Sequence, residues 1–233
     1  MTSSTIKGVN DISKELSSQA NSSTAKSAIK WDAYNYPPLL SVIHYDLSEL
    51  EGGGRRVVRW AHIHYLLVLV ALLMNVLINF VLACGGVPDK GPHVAYAFFN
   101  VLILGALGLY GEYASFKGVG LGKSALMNRY LLLALVMMVA EFLFSLLAVV
   151  NWNGWLQALK ARELNHPLAA FWCWAAVAES SVWTLAYLSG AVAIYHVYQF
   201  DRLGPLAFTS KAASRPKGKD KDKPLKSVRL SRV

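Results

Sequence analysis

The stretch that decides the fold is Tyr65–Gly85, which reads YLLVLVALLMNVLINFVLACG. It matches the ~20 apolar residues that an α-helix needs to cross the hydrocarbon core of a bilayer. Three further apolar runs follow, at Val94–Gly111, Tyr130–Val150 and Ala169–Tyr198. None alternates with the period of two typical of membrane β-strands. Because lipid leaves only helices and closed barrels as spanning structures, the sequence predicts an all-α integral membrane protein, a four-helix bundle.

The rest of the chain is too short for a large soluble domain. Hydrophobic residues make up 55% of the 233 residues, and the mean hydropathy is +0.36. The first thirty residues are polar and contain no apolar segment typical of a cleavable signal peptide. We therefore predict a disordered N-terminal tail over 1–30, an aromatic and proline-containing membrane-proximal segment over 31–59, a transmembrane domain over 60–200 and a basic tail over 201–233.

The placement of positive charge predicts the orientation. Residues 201–233 hold ten Lys or Arg and three Asp, which is +7 of the net charge of +9. Further basic residues precede the first span and lie between the second and third spans, at Arg55, Arg56, Arg59, Lys117, Lys123 and Arg129. Because Lys and Arg concentrate on the cytosolic side of membrane proteins, both tails are expected to be cytosolic.

The basic tail next to a membrane has an obvious partner. Anionic phospholipids attract juxtamembrane Lys and Arg, so we expect the tail to bind them and expect no nucleic-acid partner. Lysine alternates with small or acidic residues in the middle of this tail, at Lys217, Lys219, Lys221 and Lys223.

Two segments outside the apolar runs are rich in aromatic residues. In the segment 31–50, Pro37 and Pro38 exclude a regular helix, and the aromatic residues favour a position on the membrane surface or on the helix ends. A plain extended linker is the alternative. In the loop Glu112–Arg129 we predict a broken segment lying on the membrane, because three glycines disfavour a continuous helix. Its expected membrane-surface residues are Tyr113, Phe116, Lys117 and Lys123.

Polar residues inside the apolar runs need a partner. The predicted depths of Asn75, Asn79, Glu141 and Glu179 lie within about a helical turn of one level, so we infer a buried polar cluster. Interhelical hydrogen bonds and an ion or proton path are both compatible with it. The hydrogen-bonding interpretation is favoured because the sequence shows no continuous polar stripe.

No other pattern in the sequence indicates a catalytic or metal-binding site. His62 and His64 form a weak metal pattern, and interface-lining histidines are the better interpretation. The two cysteines, Cys84 and Cys173, either form a disulfide or pack as separate thiols. The sequence contains no phosphate loop, nucleophile elbow or zinc motif. We therefore expect no enzymatic activity, no catalytic residues, no metal and no cofactor.

The order of motifs resembles the secretory carrier membrane protein (SCAMP) family of four-span vesicle proteins. An Asn-aromatic-Pro-Pro-Leu motif stands before span one, as Asn35, Tyr36, Pro37, Pro38 and Leu39. Similar to the family are also His44–Leu47, Arg59–Trp60 with Asn75, Tyr110–Lys117, Gly154–Trp155 and Tyr195–Phe200. The Asn-Pro-Phe repeats of longer members are absent.

This resemblance implies a non-enzymatic vesicle membrane protein acting in post-Golgi or endosomal trafficking, exocytosis or recycling. It implies a multi-pass protein of Golgi, endosomal or secretory vesicle membranes, with the plasma membrane as a further site. Trafficking proteins or a second copy of the chain are its candidate partners besides the lipid bilayer. The alternative is a small proton- or ion-coupled transporter or channel that uses Glu141 and Glu179.

Overall fold

A computed structural model describes residues 29–204. Within them, one 3-10 turn and five α-helices follow in order, the turn at Leu47–Glu49 and then α1 Gly52–Cys84, α2 Lys90–Leu121, α3 Ser124–Leu146, α4 Trp155–Arg162 and α5 Ala169–Leu203. Among the described helices, α1, α2, α3 and α5 are long and apolar enough to cross a membrane. The predicted all-α fold with four apolar spans is therefore confirmed. Most of the N-terminal tail and the basic tail, with its four lysines, lie outside the described residues.

The four long helices form a bundle in which α1 and α3 lie across one diagonal. Each of these two helices packs against both α2 and α5, and the short α4 lies mainly against α5. We call the end where α1 and α3 begin the termini end, and the opposite end the α4 end. The 33 residues of α1 extend about 50 Å at 1.5 Å per residue. Because the hydrocarbon core is ~30 Å thick, the long helices project beyond it.

Side chains on the inside of the bundle change along its length. At the termini end, large apolar residues such as Val57 and Phe116 are fully buried. Trp183 fills the middle, where it packs with Leu72 and Met137. Large apolar residues on the outside, such as Leu73, stay exposed on the helix surfaces, as expected for a face that contacts lipid.

The loop predicted over Glu112–Arg129 is helical except for the turn at Gly122 and Lys123, so the predicted loss of helix at Gly118 and Gly120 was wrong. Helix α2 continues to Leu121, and Phe116 is fully buried in it. Two of its glycines lie where a Cβ atom would meet a neighbour, Met127 at 2.9 Å beside Gly118 and Trp31 at 2.9 Å beside Gly120. Close packing at these positions outweighs the helix-propensity cost of about 1 kcal/mol per glycine.

The remaining members of the predicted surface loop occupy the end of α2 and the turn after it. Tyr113 and Lys117 lie one helical turn apart in α2, with the Lys117 Nζ donating to the Tyr113 hydroxyl at 2.7 Å. Gly122, with a φ of 61°, ends the helix in the left-handed region that suits glycine. Lys123 follows it as the residue before α3.

Other helix boundaries also differ from the predicted spans. Helix α1 begins at Gly52, well before the predicted start of the first span at Tyr65. Helix α3 ends at Leu146, four residues before the predicted end at Val150. The chain that follows α3 turns back into the bundle, where Asn151 and Asn153 are buried. Polar backbone and amide groups without partners are costly when they face lipid. This segment therefore turns into the protein interior, where partners are available.

The cysteines remain separate. Cys84 ends α1 and is exposed, whereas Cys173 is buried, and both are free thiols. Cys173 packs with alanines of α4 and α5. Of the two alternatives from the sequence, the structure has the separate thiols.

The membrane-proximal segment folds against the termini end of α1 and α2. Tyr36 and Ile43 pair as an antiparallel bridge, and Tyr36 precedes a cis peptide bond to Pro37. The side chain of Asn35 donates to the Tyr45 carbonyl at 3.2 Å and accepts from the Tyr45 amide at 2.8 Å. Residues 29–50, which we call the aromatic cap, therefore form a hairpin and a short turn rather than an extended linker.

The turn after α3 requires glycine at position 154. A Cβ atom there would lie 2.3 Å from the Leu147 carbonyl oxygen and 2.5 Å from the Leu146 carbonyl carbon. We expect Gly154→Ala to lower the free energy of unfolding by about 1–3 kcal/mol, the range for overpacking. Unfolding of the purified protein in mixed micelles measures this change.

Gly91→Ala is the matched control, since nothing lies within 4 Å of a Cβ atom at that position in α2. It should leave stability unchanged or raise it slightly through helix propensity. Equal losses in both variants would show that the turn at Gly154 is not tightly packed.

Candidate functional site: two buried polar groups and an aromatic cap

The first buried polar group joins α1 to the chain after α3. The Asn75 Nδ2 donates to the Asn151 carbonyl at 2.7 Å, and the Asn151 Nδ2 donates to the Asn75 Oδ1 at 2.8 Å. The Asn79 Nδ2 donates to the same Asn151 carbonyl at 2.9 Å. All three side chains are at most 2% exposed. Two neighbouring turns of α1 thus hold the backbone of residue 151 inside the bundle.

Glu179 on α5 completes this group. Its carboxylate accepts from the Asn75 Nδ2 at 2.7 Å, from the Asn153 Nδ2 at 2.8 Å and from the Trp183 Nε1 at 3.4 Å. Glu179 is 0% exposed. Both of its oxygens have donors, which is the condition under which a buried carboxylate is tolerated. We call Asn75, Asn79, Asn151, Asn153 and Glu179 the asparagine network.

Aromatic and hydroxyl side chains hold the returning chain in position. The Trp172 Nε1 donates to the Asn153 Oδ1 at 2.8 Å, and the Ser180 Oγ donates to the Asn153 carbonyl at 2.9 Å. The Trp152 ring stacks on Phe144 with centroids 3.7 Å apart. The residues from 151 to 153 are therefore fixed through both main chain and side chains.

A buried cation lies beside the asparagine network. Lys90, the first residue of α2, is 4% exposed, and its Nζ donates to the Asn79 Oδ1 at 3.3 Å. The same Nζ lies 4.4 Å from the Trp172 ring centroid, a cation–π contact. Glu179 also acts electrostatically on Lys90. The buried Lys90 side chain therefore has an amide oxygen and an aromatic ring as partners, which lowers the cost of burying it.

The second buried polar group consists of two histidine–glutamate pairs nearer the termini end. The His62 Nδ1 contacts the Glu112 Oε1, which joins α1 to α2. The His64 Nε2 lies 2.8 Å from the Glu141 Oε1, which joins α1 to α3 across the diagonal. Glu112 and Glu141 are at most 1% exposed. Each pair supplies a buried carboxylate with a partner from another helix.

The histidine–glutamate pairs have more polar atoms without hydrogen-bond partners than the asparagine network has. Within residues 29–204, the second oxygens of Glu112 and Glu141 and the Tyr130 hydroxyl lack hydrogen-bond partners. A cavity of about 20 Å³ lies between α1, α2 and α3 and is lined by His64, Glu112 and Tyr130 among others. That volume is about the space one water molecule needs.

The aromatic cap closes the termini end over the His62–Glu112 pair. The Tyr45 ring stacks on His62 with centroids 4.9 Å apart, and Tyr36 meets His62 edge-on at 5.6 Å. Trp31 packs edge-on against Phe116 at 5.6 Å. Burial and the negative charge of Glu112 raise the pKa of Tyr36 to about 12. The same causes raise the pKa of Tyr45, so both phenols stay neutral at physiological pH.

His44 ties the hairpin of the cap to the turn at Leu47–Glu49. Its Nδ1 donates to the Ala33 carbonyl at 2.8 Å, and its Nε2 lies 2.6 Å from the Glu49 Oε2. Burial lowers the pKa of His44, but the hydrogen bonds to Glu49 and Ala33 outweigh it and the net direction is upward. Hydrogen bonds from Ser48 lower the pKa of Asp46. The cap therefore favours an imidazolium between two acceptors.

The structure brings together some of the residues expected to cluster and separates others. Asn75, Asn79 and Glu179 share the asparagine network, whereas Glu141 pairs with His64 instead. Helix α1 explains the separation, since its polar residues lie at two levels that meet different helices. The partners that lie outside the predicted spans or at their edges were not predicted from the sequence; they are His62, His64, Lys90, Glu112, Asn151 and Asn153.

For some of these partners, the sequence contains a pattern from which the contact could have been predicted. Asn151 and Asn153 directly follow an apolar run, and a polar residue at the edge of a span is a natural partner for a polar residue inside another span. His62 and His64 lie two positions apart, so they point to different neighbours. Two buried carboxylates on other helices are partners of the kind that such histidines require. Within residues 29–204, no three His, Cys, Asp or Glu side chains are grouped to hold a metal ion.

Removing the Glu179 carboxylate tests the asparagine network. Glu179→Ala would remove an acceptor from the buried donors of Asn75, Asn153 and Trp183, at about 1–3 kcal/mol for each group left unsatisfied. We expect a loss of at least ~2 kcal/mol in the free energy of unfolding in mixed micelles. Glu163→Ala, at an exposed position after α4, is the control and should stay within about 0.5 kcal/mol of the parent. Similar values for both variants would contradict the network.

The His44 contact makes the cap sensitive to pH. The pKa of His44 in the folded protein lies above its unfolded value of about 6.5. The stabilisation from the protonated His44 is therefore complete below pH ~6.5 and is lost as the pH rises through the raised pKa. Amide hydrogen exchange in residues 33–45, corrected for the intrinsic rate, should therefore be slower at about pH 6 than at about pH 8.5. These two pH values lie on either side of the range in which histidine titrates. Glu49→Gln should weaken this dependence. Equal protection at both pH values in the parent protein would contradict the assignment.

A match to a known protein family covers the whole bundle. The family model described as SCAMP family matches residues 33–204. That range begins in the aromatic cap and ends one residue after α5, so it includes all four apolar helices and both buried polar groups. No curated protein and no solved structure matches the chain. The match covers well over half of the sequence, and the chain therefore belongs to the SCAMP family.

Proposed function

We propose that this chain is a non-enzymatic vesicle membrane protein acting in post-Golgi or endosomal trafficking, exocytosis or recycling. Membership of the SCAMP family supports this role. The observation that carries the proposal is the aromatic cap, a folded surface held on a bundle whose polar groups are mostly paired inside it. A protein built this way presents a fixed face to partners at one end while its interior stays closed. Golgi, endosomal and secretory vesicle membranes are the proposed sites, with the plasma membrane as a further site.

The proposed orientation places the aromatic cap and both tails in the cytosol. Arg55, Arg56 and Arg59 lie at the beginning of α1, and Lys117 and Lys123 lie beside the end of α2. All of them belong to the termini end, as the Lys and Arg rule requires for a cytosolic face. The basic tail would extend from the same end and bind anionic phospholipids of the cytosolic leaflet. Trafficking proteins or a second copy of the chain would meet the cap there.

Live imaging of the tagged chain tests this role. We expect it on moving vesicles that carry Golgi or endosomal markers, with a C-terminal tag removed by protease added outside sealed vesicles. Tyr45→Ala removes the ring that stacks on His62 at 4.9 Å, so it should slow or misdirect these vesicles. Tyr34→Ala, at a 58% exposed tyrosine of the same cap, is the control and should behave like the parent.

Two outcomes would contradict the proposal. Stable residence in a non-vesicular membrane, with a correctly folded protein judged by size-exclusion chromatography, would argue against a trafficking role. Protection of the C-terminal tag would reverse the proposed orientation.

A small proton- or ion-coupled transporter is the second candidate. The unpartnered oxygens of Glu112 and Glu141 beside Tyr130 favour it, since proton carriers need such groups. Against it, Glu179 has donors on both oxygens and belongs to a different group from Glu141. We expect proteoliposomes to show no proton or cation flux above protein-free liposomes. A flux that Glu141→Gln abolishes would support the transporter instead.

A further inference from the structure

The hairpin of the aromatic cap ends in an apolar tip that residues 29–204 leave largely uncovered. Tyr36 and Ile43 exchange backbone hydrogen bonds of 2.9 and 3.0 Å and close the base of the hairpin. Beyond this base, Leu39 is 98% exposed, Leu40 is 70% exposed and Val42 is 50% exposed. The tip, residues 37–42, contains no charged side chain. Three exposed aliphatic side chains in six residues are unusual for a surface facing only water.

Contacts of the cap show how far along the helices the hairpin reaches. Trp31 at its beginning lies against Gly120, close to the end of α2. Tyr36 at its base meets His62, ten residues after α1 begins at Gly52, and acts electrostatically on Tyr65. From Trp31 to Tyr36 the chain therefore descends from the projecting helix ends toward the middle of the bundle.

The level that Tyr36 reaches is where the outer surface of α1 changes character. Before it, the exposed side chains of α1 include the charged Arg56 and Arg59. After it they are large and apolar, from Leu66 at 41% exposed to Leu73 at 57% exposed. Such a change from basic to apolar surface marks the boundary between headgroups and hydrocarbon. The base of the hairpin thus lies level with this change in the surface of α1.

We propose that the tip of the hairpin inserts Leu39, Leu40 and Val42 into the leaflet on the termini side of the bilayer. The occupant of this apolar surface is lipid, because the tip extends from Tyr36, which lies beside His62 close to where the exposed side chains of α1 change from basic to apolar. Apolar side chains at this depth gain the hydrophobic stabilisation that interfacial segments obtain from the boundary between headgroups and acyl chains. The tip then anchors the aromatic cap to the bilayer as well as to the helices. This anchoring does not depend on the trafficking role.

Site-directed spin labelling tests the insertion directly. The full chain, with Cys84→Ala and Cys173→Ala, carries one nitroxide at Leu39→Cys or Leu40→Cys. It is placed in nanodiscs of phosphatidylcholine and phosphatidylserine that hold one copy each, so a second copy cannot cover the tip. Collision with oxygen, which enters lipid, is compared with collision with a water-soluble nickel chelate. A high ratio of oxygen to nickel collisions means immersion in the hydrocarbon.

Two control positions bracket the expected result. Leu73→Cys lies on the outer face of α1 and should give the ratio of a lipid-facing site. Asp32→Cys lies on the exposed side of the cap beside Trp31 and should give the ratio of a water-facing site. We expect labels at Leu39 and Leu40 to resemble the label at Leu73. Ratios equal to that at Asp32 would overturn the proposal and would leave the tip as a water-exposed surface for a protein partner.

Discussion

The constraint on which this structure depends is that polar groups inside a bilayer must find partners within the protein. The chain after α3 is the clearest response to it. Instead of leaving the membrane directly, residues 151–153 turn into the bundle, where Asn75, Asn79 and Glu179 meet them. Gly154 makes the return tight enough to fit. Three helices are thus joined through a segment that is not itself helical.

The two buried polar groups differ in how completely their polar atoms are hydrogen-bonded. Glu179 has a donor for each oxygen and a nearby cation in Lys90. Such saturation favours a fixed geometry, because a shift of any member would leave another unpaired. Glu112 and Glu141 each keep one oxygen without a partner among the described residues. The half of the bundle beneath the aromatic cap is therefore the less completely hydrogen-bonded of the two.

Much of the fold follows from the sequence, because helix length and apolar character are local properties. The four runs correspond to α1, α2, α3 and α5, and the residues Asn75, Asn79 and Glu179 were expected to be close. Errors arose where packing overrides local preference. Gly118 and Gly120 disfavour a helix by themselves, yet Met127 and Trp31 need the space they leave. The partners of Glu141 and Glu112 depend on which helices are neighbours, and that information is not local.

A double-mutant cycle between Asn153 and Glu179 tests the central claim most directly. Their side chains are joined at 2.8 Å between the Asn153 Nδ2 and a Glu179 oxygen. Alanine at both positions should cost less than the sum of the single losses, with a coupling of about 0.5–3 kcal/mol. The cycle between Glu141 and Glu179 serves as the reference and should be additive within about 0.5 kcal/mol. Additive losses for Asn153 and Glu179 would contradict the claim that the returning chain holds the bundle together.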